Sequence, residues 1–546
     1  MVRELIVNKL NKSFCEKQIL NDISFNLNNG DKVCLVGNNG AGKSTLLKIL
    51  SGYLEKDSGS INLNNETIKL LDQEIDIKDY DLSIIDFIKI KTNISILEEK
   101  LNNLESNLNE SNMEEYGSIL DLYLKLDGYN FENNINMILS GLDFSLDLNQ
   151  KIKTLSGGEK IKVLLAVLLL SNPDIMLLDE PTNNLDIDAI EFLENYLSRL
   201  DKKMIIVSHD EEFLNNISSK IFELENGNLK EYKMPYYEYI KYKDDEYNRK
   251  LNEFNELKEK KQDLKNRIKE KEAWSNKGTN SKKKKDNDKI ASNFAKERTK
   301  KTSGEISKLN RELEKIGSSD FKEKEEINFD INFSNEKGNK DIIIEDLVCG
   351  YDLFKTHPIN LNIPFGLRVS ISGKNGAGKS TFIKTLLSDI EKISGNISIG
   401  SEVKFGYISQ DTLISDTNKT IYEYLTDDKD DINKGLLFTI LSKFNIAYED
   451  RNKKYSSLSP GERTRVNLAK LSLDKVNVLV LDEVTNHLDM EALNLIYSAV
   501  IEFKGTIISI SHNRKFNEIL SPDIIYNISD GKLTYKECAR QILSRK

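Results

Sequence analysis

The sequence predicts an α/β protein in which two homologous parallel-sheet domains are joined by a long helical hairpin. Three observations lead to this prediction. A set of four motifs occurs twice, in the same order, along the 546 residues. Short apolar runs without polar faces accompany those motifs, as expected for buried strands of parallel sheets. Between the two sets lies a proline-free stretch in which apolar residues recur at helical spacing and charged residues fill the gaps.

The repeated motifs are a glycine-rich loop, a Leu-Ser motif, an acidic motif and a Ser-His pair. They occur at Gly37–Thr45 and Gly373–Thr381, Leu155–Glu159 and Leu458–Glu462, Leu178–Asp186 and Leu481–Asp489, and Ser208–His209 and Ser511–His512. The glycine loops are 336 residues apart and Gln73 and Gln410 are 337 apart, whereas the last three pairs are each 303 apart. The first copy therefore carries 34 extra residues within 74–154.

The domain boundaries follow from these offsets. We expect a first domain at 1–235, a helical hairpin linker at 236–318 and a second domain at 319–546. Apolar residues in the extra segment predict a shorter helical hairpin at about 91–127. Four apolar runs are predicted to be buried strands, namely Ile175–Leu178, Met204–Val207, Val478–Leu481 and Ile507–Ile510. Two further short apolar runs, Lys32–Val36 and Arg368–Ser372, lead into the glycine loops.

The composition narrows the class of protein. The formal net charge of −10 argues against a general nucleic-acid coat, yet Lys241–Lys315 holds more basic than acidic residues and is a basic segment in an acidic chain. The four cysteines are scattered, which excludes a disulfide framework and a four-cysteine zinc site. The longest apolar run, Val163–Leu170, is far shorter than the roughly 20 residues of a membrane helix. We therefore expect a soluble protein of the cytoplasm with no signal peptide.

Each glycine loop follows a predicted strand and matches Gly-x-x-x-x-Gly-Lys-Ser, which is a phosphate cradle. Its backbone N–H groups and the positive end of the following helix would face the phosphates of ATP. Lys43 and Lys379 would neutralise the β- and γ-phosphates, and Ser44 and Ser380 would bind Mg²⁺. The candidate ATP-binding residues of the two loops are Gly37, Asn38, Asn39, Gly40, Ala41, Gly42, Lys43, Ser44 and Thr45, and Gly373, Lys374, Asn375, Gly376, Ala377, Gly378, Lys379, Ser380 and Thr381.

The acidic motifs supply candidate metal and catalytic groups. Asp179 and Asp482 end predicted strands, where a carboxylate can hold Mg²⁺ through water. Glu180 and Glu483 follow them and would polarise the attacking water as general bases.

Other polar residues recur at matched positions of the two copies, which supports a functional role for them. Gln73 and Gln410 are further candidate metal-site residues because they recur in register. His209 and His512 follow predicted strands at identical offsets and are candidate catalytic residues that could contact the γ-phosphate.

The order of these motifs resembles the ATP-binding cassette (ABC) ATPases in both copies. In that family two cassettes pair head to tail, so each ATP lies between one glycine loop and the Leu-Ser signature of the other cassette. The resemblance implies that Lys43 shares a site with Ser459 and Gly461, and Lys379 with Ser156, Gly157 and Gly158. Phe14 and Tyr351 sit where the family stacks an aromatic ring on adenine, although packing in the core explains them equally well.

Two cassettes, a long charged linker and Thr-Asn-x-Leu-Asp after the catalytic glutamate resemble the ABC-F subfamily. The resemblance implies a monomer without a membrane subunit that enters the E site of the ribosome and pushes its linker towards the peptidyl-transferase centre. Partners would be 23S rRNA and P-site tRNA. The predicted ribosome-facing linker tip contains basic and aromatic residues, namely Trp274, Lys277, Lys282, Lys283, Lys284, Lys285 and Phe294.

Three departures from the family pattern stand out. Pro460 replaces the first signature glycine, Asn184 stands where a histidine is frequent, and Val484 replaces a proline. Proline suits the first turn of a helix, where its missing N–H costs least. Binding at the Lys43 site should therefore survive, while its hydrolysis rate should be affected.

The sequence is compatible with several functions. The favoured one is a ribosome-binding ABC-F ATPase that protects the ribosome from antibiotics, and the alternative within the subfamily is a housekeeping translation factor. A fused ATPase subunit of a membrane importer would not need the basic linker. A coiled-coil structural or DNA-repair ATPase would need far longer heptad arms.

Overall fold

The computed structural model describes 4–15, 17–38, 40–72, 74–109, 112–144, 146–280, 305, 307–311, 340–351, 354–374, 376–409, 418–426, 434–474, 476–485, 488, 490–529 and 531–537. The chain divides into two units. One consists of Met1–Tyr236 together with Ile327–Lys546, and the other is Tyr237–Glu326.

The first cassette has a six-stranded sheet in the order β5-β6-β7-β3-β8-β9 and an antiparallel sheet in the order β2-β1-β4. Only β9 runs antiparallel in the larger sheet. Its strands and helices are β1 (Leu5–Phe14), β2 (Lys17–Leu27), β3 (Lys32–Val36), α1 (Lys43–Leu50), β4 (Ser58–Asn62), β5 (Ile68–Leu70), α2 (Ile84–Lys91), α3 (Ile94–Ser106), α4 (Met113–Lys125), α5 (Phe131–Gly141), α6 (Gly157–Leu170), β6 (Ile175–Asp179), α7 (Ile187–Arg199), β7 (Lys203–Val207), α8 (Glu211–Ile217), β8 (Lys220–Glu225) and β9 (Asn228–Tyr232).

The extra segment of the first cassette contains α3 and α4, which contact each other. The hydroxyl of Tyr116 donates to Oε1 of Glu105 over 3.0 Å, and Tyr123 lies opposite Glu98 at 3.5 Å. Because the early part of one helix faces the late part of the other, α3 and α4 form an antiparallel pair. The structure therefore has a helical hairpin within the stretch where the apolar pattern predicts one.

The linker begins with α9 (Tyr236–Asn280), a helix of 45 residues. At 1.5 Å per residue it is about 68 Å long. Beyond it, the structure describes helical residues at 305 and 307–311, and Lys271 forms an ion pair with Glu305. This contact joins α9 to the returning segment, as expected for the predicted hairpin.

The second cassette repeats the first, with a six-stranded sheet in the order β16-β17-β18-β14-β19-β20 and an antiparallel sheet in the order β13-β10-β15. Its elements are β10 (Ile342–Val348), β11 (Gly350–Tyr351), β12 (Phe354–Lys355), β13 (Ile359–Ile363), β14 (Arg368–Gly373), α10 (Lys379–Leu386), β15 (Ser394–Ile399), β16 (Phe405–Ser409), α11 (Ile421–Thr426), α12 (Lys434–Lys443), α13 (Pro460–Asp474), β17 (Val478–Asp482), α14 (Met490–Glu502), β18 (Thr506–Ile510), α15 (Arg514–Leu520), β19 (Ile524–Ser529) and β20 (Lys532–Glu537).

The core of each cassette lies around the central strands of its larger sheet. Every residue of β6, β7, β17 and β18 is buried, which is why these segments are mostly apolar in the sequence. The run Val163–Leu170 forms most of α6 and is buried throughout. The predicted fold of two tandem α/β cassettes with a long helical linker is confirmed. Across the described ranges, every helix is too short or too polar to cross a membrane.

Candidate nucleotide-binding and catalytic site

Each glycine loop connects a central strand, β3 or β14, to the start of a helix, α1 or α10. Gly42 and Gly378 stand just before these helices with φ of 104° and 97°. A Cβ on Gly42 would lie 2.7 Å from Cγ2 of Ile19, so both the backbone angle and the space require glycine. The loop thus directs the N–H groups of a helix N-terminus into a concave surface, which is a binding geometry for phosphate.

The loop lysines lie within their own loops. Nζ of Lys43 donates to the carbonyl of Gly37 over 2.7 Å, and Nζ of Lys379 donates to the carbonyl of Gly373 over the same distance. Burial lowers the pKa of Lys379, while the nearby carboxylate of Glu483 favours its charged form. Asn39 and Asn375, the third residues of the loops, lie outside the described residues.

Oxygen ligands gather beside each loop. The hydroxyl of Ser380 donates to Oδ1 of Asp482 over 3.2 Å, and Ser44 forms the equivalent hydrogen bond with Asp179. Burial raises the pKa of both aspartates, although these hydrogen bonds oppose the shift. A hydroxyl and a carboxylate at the end of a strand are ligands that suit Mg²⁺. The other two predicted metal-site residues, Gln73 and Gln410, lie outside the described residues.

The two candidate catalytic glutamates have an unusual backbone. Glu180 and Glu483 adopt φ of 54° and 50°, in the left-handed region that costs energy for a residue with a Cβ. The N–H of Glu180 donates to the carbonyl of Val207, and the N–H of Glu483 to that of Ile510, over 2.8 and 2.9 Å. A hydrogen bond to the end of the neighbouring strand therefore holds each glutamate in this conformation.

Burial sets the protonation of these glutamates. It raises the pKa of Glu180 to about 8, and the neighbouring carboxylate of Asp179 adds to the effect. Burial also raises the pKa of Glu483. A carboxyl group whose pKa lies near the working pH can take a proton from water, as a general base must.

The two candidate catalytic histidines differ in their surroundings. Nε2 of His209 lies 3.3 Å from Oε1 of Glu180, and its backbone N–H donates to Oε2 over 3.2 Å. Nε2 of His512 is buried and has no hydrogen-bond partner among the described residues. Burial, with the nearby ammonium of Lys379, lowers the pKa of His512 to about 3.

The two signature motifs begin helices in the same way. Ser156 caps α6 and Ser459 precedes α13, and the N–H of each serine donates over 2.8 Å to the glutamate three residues later, Glu159 or Glu462. Pro460 is the first residue of α13, where a missing N–H leaves no helical hydrogen bond unmade. Gly461 is buried in the first turn of this helix.

A cavity of about 370 Å³, which we call the inter-cassette cavity, lies between the cassettes. It contains both candidate general bases and both histidines. The first cassette contributes Ser156, Gly157, Gly158, Glu180, Thr182, Asn183, Asn184, Leu185, Ile190, His209 and Asp210, and the second contributes Gly376, Glu483, Thr485, His512 and Asn513. The first signature thus faces the second glycine loop, which is the head-to-tail relation that the resemblance implies.

Two further cavities flank the glycine loops. The Lys374 cavity, of about 380 Å³, is again lined by both cassettes and includes Phe354, Ser156 and Gly158. The Lys43 cavity, of about 350 Å³, is lined by the first cassette: Phe14, Ile19, Gly40, Gly42, Lys43, Ser44, Thr45, Asp179, Glu180, Val207 and His209. Among its described lining residues there is neither Ser459 nor Gly461, so the structure does not bring the second signature to this cavity.

The candidate adenine-stacking rings are placed differently in the two cassettes. Phe14 lines the Lys43 cavity and is 47% exposed. Tyr351 is 55% exposed and is absent from the described lining of the Lys374 cavity, whereas Phe354, paired with it in the β11–β12 hairpin, lines that cavity. Sequence reasoning missed Phe354, and its position three residues after Tyr351 gives no signal of this contact.

Most of the predicted linker tip lies outside the described residues. Trp274 and Lys277 belong to α9, but their side chains are not among those described. Lys282, Lys283, Lys284, Lys285 and Phe294 lie outside the described residues.

The fold and the paired motifs define an ATP-binding cassette protein. In agreement, the family described as "ABC transporter" matches the chain at 20–183 and 356–486. Two relatives match nearly all of it. The putative ATP-binding protein YdiF of Bacillus subtilis is 33% identical over 94% of this chain and 78% of the relative. ABC transporter F family member 2 of Arabidopsis thaliana is 30% identical over 96% of this chain and 76% of the relative.

The chain therefore belongs to the ABC transporter family and, within it, to the F family, and it is an ATPase. A solved structure has the same overall fold. It is the crystal structure of archaeal ribosomal stalk protein aP1 in complex with the archaeal ribosome recycling factor aABCE1, with a TM-score of 0.58 and 19% identity over 95% of this chain and 87% of that chain.

Proposed function

We propose that this ATPase binds the ribosome in its ATP-bound state, enters the E site, and uses its linker to protect the peptidyl-transferase region from antibiotics. The observation that carries the proposal is α9, which is about 68 Å long and belongs to a basic linker between two cassettes. An ATPase that only drives a membrane subunit has no use for such an arm. ATP hydrolysis would then release the protein from the ribosome, in the cytoplasm.

In the proposed mechanism each glycine loop holds the phosphates of one ATP. Lys43 and Lys379 neutralise the β- and γ-phosphates. Ser44 with Asp179, and Ser380 with Asp482, would hold Mg²⁺, and the ion would polarise the phosphate oxygens. Glu180 and Glu483 orient and deprotonate the attacking water. Ser156, Gly157 and Gly158 complete the Lys379 site from the first cassette. Ser459 and Gly461 would complete the Lys43 site once ATP binding draws the second signature towards it, since neither is among the described residues that line the Lys43 cavity in this structure.

The first experiment separates ribosome binding from the importer alternative. The double variant Glu180→Gln with Glu483→Gln should retain ATP and accumulate on ribosomes in sucrose-gradient sedimentation, and ADP should release it. The matched control is Lys43→Ala with Lys379→Ala, which should bind neither ATP nor ribosomes. Failure of the ATP-loaded double variant to sediment with ribosomes would exclude the proposal.

The second experiment addresses the linker tip. Positive charge there should engage rRNA and tRNA phosphates, so replacing Lys282, Lys283, Lys284 and Lys285 with alanine should weaken ribosome binding and reduce its salt dependence. Deleting 276–285 should abolish protection while ATP hydrolysis persists, because neither ATP site lies in the linker.

The choice between antibiotic protection and a housekeeping role in translation is decided in cells. Drug susceptibility should be compared with and without this chain, across macrolides, lincosamides, pleuromutilins and streptogramins. Unchanged susceptibility to every drug, together with a growth or translation defect when the chain is removed, would favour the housekeeping role.

A further inference from the structure

The helices that follow the two histidines meet at the cassette interface, and their first turns carry opposite charges. α8 of the first cassette begins with Glu211 and Glu212, and α15 of the second begins with Arg514 and Lys515. Nζ of Lys515 lies 2.7 Å from both carboxylate oxygens of Glu211, and Nη1 of Arg514 lies 3.2 Å from Oε1 of Glu212. Two ion pairs therefore join the cassettes side by side.

These two ion pairs are equivalent under the internal repeat. His209 and His512 are 303 residues apart, so Glu211 corresponds to Arg514 and Glu212 to Lys515. Replacing each residue of the pair Glu211–Lys515 by its counterpart gives Arg514–Glu212, which is the other pair. The interface thus makes one contact twice, as expected where two similar domains pair about a pseudo-two-fold axis.

The equivalence shows what pairing between like cassettes would do. Two copies of the first cassette, docked in the same way, would place Glu211 against Glu212 at both contacts. Two copies of the second would place Arg514 against Lys515 at both. Like charges at close range oppose association, whereas the observed combination is attractive at both contacts.

A second group at this interface strengthens the same polarity. Oε1 of Glu194, in α7, lies 3.0 Å from Nη1 of Arg514. The two side chains are only 12% and 16% exposed, so water and salt screen this pair less than a surface pair. The counterpart of Glu194 in the second cassette is Tyr497, an uncharged residue.

The same polarity recurs at the nucleotide end of the interface. Asp143 of the first cassette forms an ion pair with Lys374, the second residue of the second glycine loop. The counterpart of Lys374 is Asn38. The counterpart of Asp143 is Asn445, since both follow a helix by two residues and both have φ of 53°. The acid again lies on the first cassette and the base on the second.

We propose that this division of charge selects the partner of each cassette. The acidic face of the first cassette binds the basic face of the second cassette of the same chain, and repulsion between like charges opposes pairing with another first cassette. The face is formed by Glu194, Glu211 and Glu212 on one side and Arg514 and Lys515 on the other. A chain with two similar cassettes could otherwise pair like cassettes from separate molecules. The charges prevent this, so that both nucleotide sites are assembled within one chain.

The test uses full-length variants. In the acidic variant, Arg514→Glu and Lys515→Glu, both faces are acidic. In the basic variant, Glu211→Lys and Glu212→Arg, both helix starts are basic. The swapped variant carries all four changes together with Glu194→Gln, which removes the acid that lies 3.0 Å from Arg514 in the parent, and so restores opposite charges at both helix-start contacts. The matched control, Lys392→Glu with Lys404→Glu, changes the net charge by the same amount as the acidic variant, but at exposed residues of the second cassette. Circular dichroism and thermal unfolding establish that each variant is folded.

Small-angle X-ray scattering at low salt should show a larger radius of gyration for the acidic and basic variants, and the parent's radius for the swapped and control variants. An equimolar mixture of the acidic and basic variants should sediment as a two-chain assembly, because the helix starts of each chain now find opposite charges only on the helix starts of the other chain. About 1 M salt, where the Debye length falls to about 3 Å, should dissociate the two-chain assembly into single chains.

The proposal fails if the acidic and basic variants keep the parent's radius of gyration and their mixture sediments as single chains. It also fails if the swapped variant has a radius of gyration as large as that of the acidic or the basic variant, because the charges would then not determine which cassettes pair. Should the acidic or the basic variant not fold, the swapped variant alone decides, since opposite charges are present in it at both helix-start contacts.

Discussion

Nε2 of His209 lies 3.3 Å from Oε1 of Glu180. The corresponding nitrogen of His512 is buried without a hydrogen-bond partner among the described residues. The two histidines occupy the same position of the repeated Ser-His motif. Nε2 of His209 nevertheless contacts its candidate general base, whereas Nε2 of His512 makes no such contact. The two nucleotide sites are therefore unequal in structure.

His512 should remain neutral throughout the physiological range. Burial and the charge of Lys379 lower its pKa to about 3, so its imidazole should carry no charge above about pH 5. The chain has 4 histidines, and labelling them for NMR with His512→Gln as the assignment control gives a resolvable set. We expect the His512 ring signals to stay constant between about pH 5 and pH 8. A midpoint near pH 6.5 would contradict the buried environment.

Hydrolysis should depend on the two glutamates that follow the acidic strands. Glu180→Gln with Glu483→Gln keeps the shape of both side chains and removes the base, so turnover should fall by about 10²–10⁴-fold while ATP still binds. Phosphate release and equilibrium binding of labelled ATP measure the two properties separately. Turnover equal to that of the parent would sink the assignment of both residues.

The stability of the protein without nucleotide should carry the signature of Glu180. Its pKa is raised from 4.5 to about 8, so the folded state holds this proton more tightly than the unfolded state does. Its contribution therefore favours folding below about pH 4.5 and is lost progressively as the pH rises towards 8.

At pH 8 the folded state must hold a buried carboxylate at position 180 that is fully solvated in the unfolded state, and Glu180→Gln removes this cost because the glutamine side chain is neutral. The variant should unfold at a higher temperature than the parent at pH 8, by a few degrees, with a smaller difference at pH 5. Calorimetry at the two pH values measures this, and the exposed Glu191→Gln serves as control. A variant less stable than the parent at pH 8 would show that Glu180 is ionised and stabilised in the folded protein.

Pro460 should make the two sites hydrolyse ATP at different rates. It begins α13 and so changes the signature predicted to face Lys43, while the first signature keeps both glycines. The single variants Glu180→Gln and Glu483→Gln should therefore retain different residual rates of phosphate release. Pro460→Gly should bring these rates closer together. Equal rates before that change would remove any role for the proline.

The sequence by itself determined the two-cassette fold, the linker helix and the order of the motifs. These features depend on local patterns: buried strands such as β6 and β17 are continuous apolar runs, and the glycine loop needs residues without a Cβ next to a helix start. The repeat then supplied the correspondence between the cassettes, because equal offsets survive wherever no residues are inserted. The roles of the site residues remain predictions.

Only the tertiary structure decided which residues meet. Phe354 instead of Tyr351 lines the cavity beside the second glycine loop, the first signature faces that loop, and Glu211 lies against Lys515. The offset of 303 says that Glu211 and Arg514 are equivalent, but not that each pairs with the neighbour of the other. The physical reason is that such contacts join residues hundreds of positions apart, so the packing of the cassettes sets them and no local pattern records them.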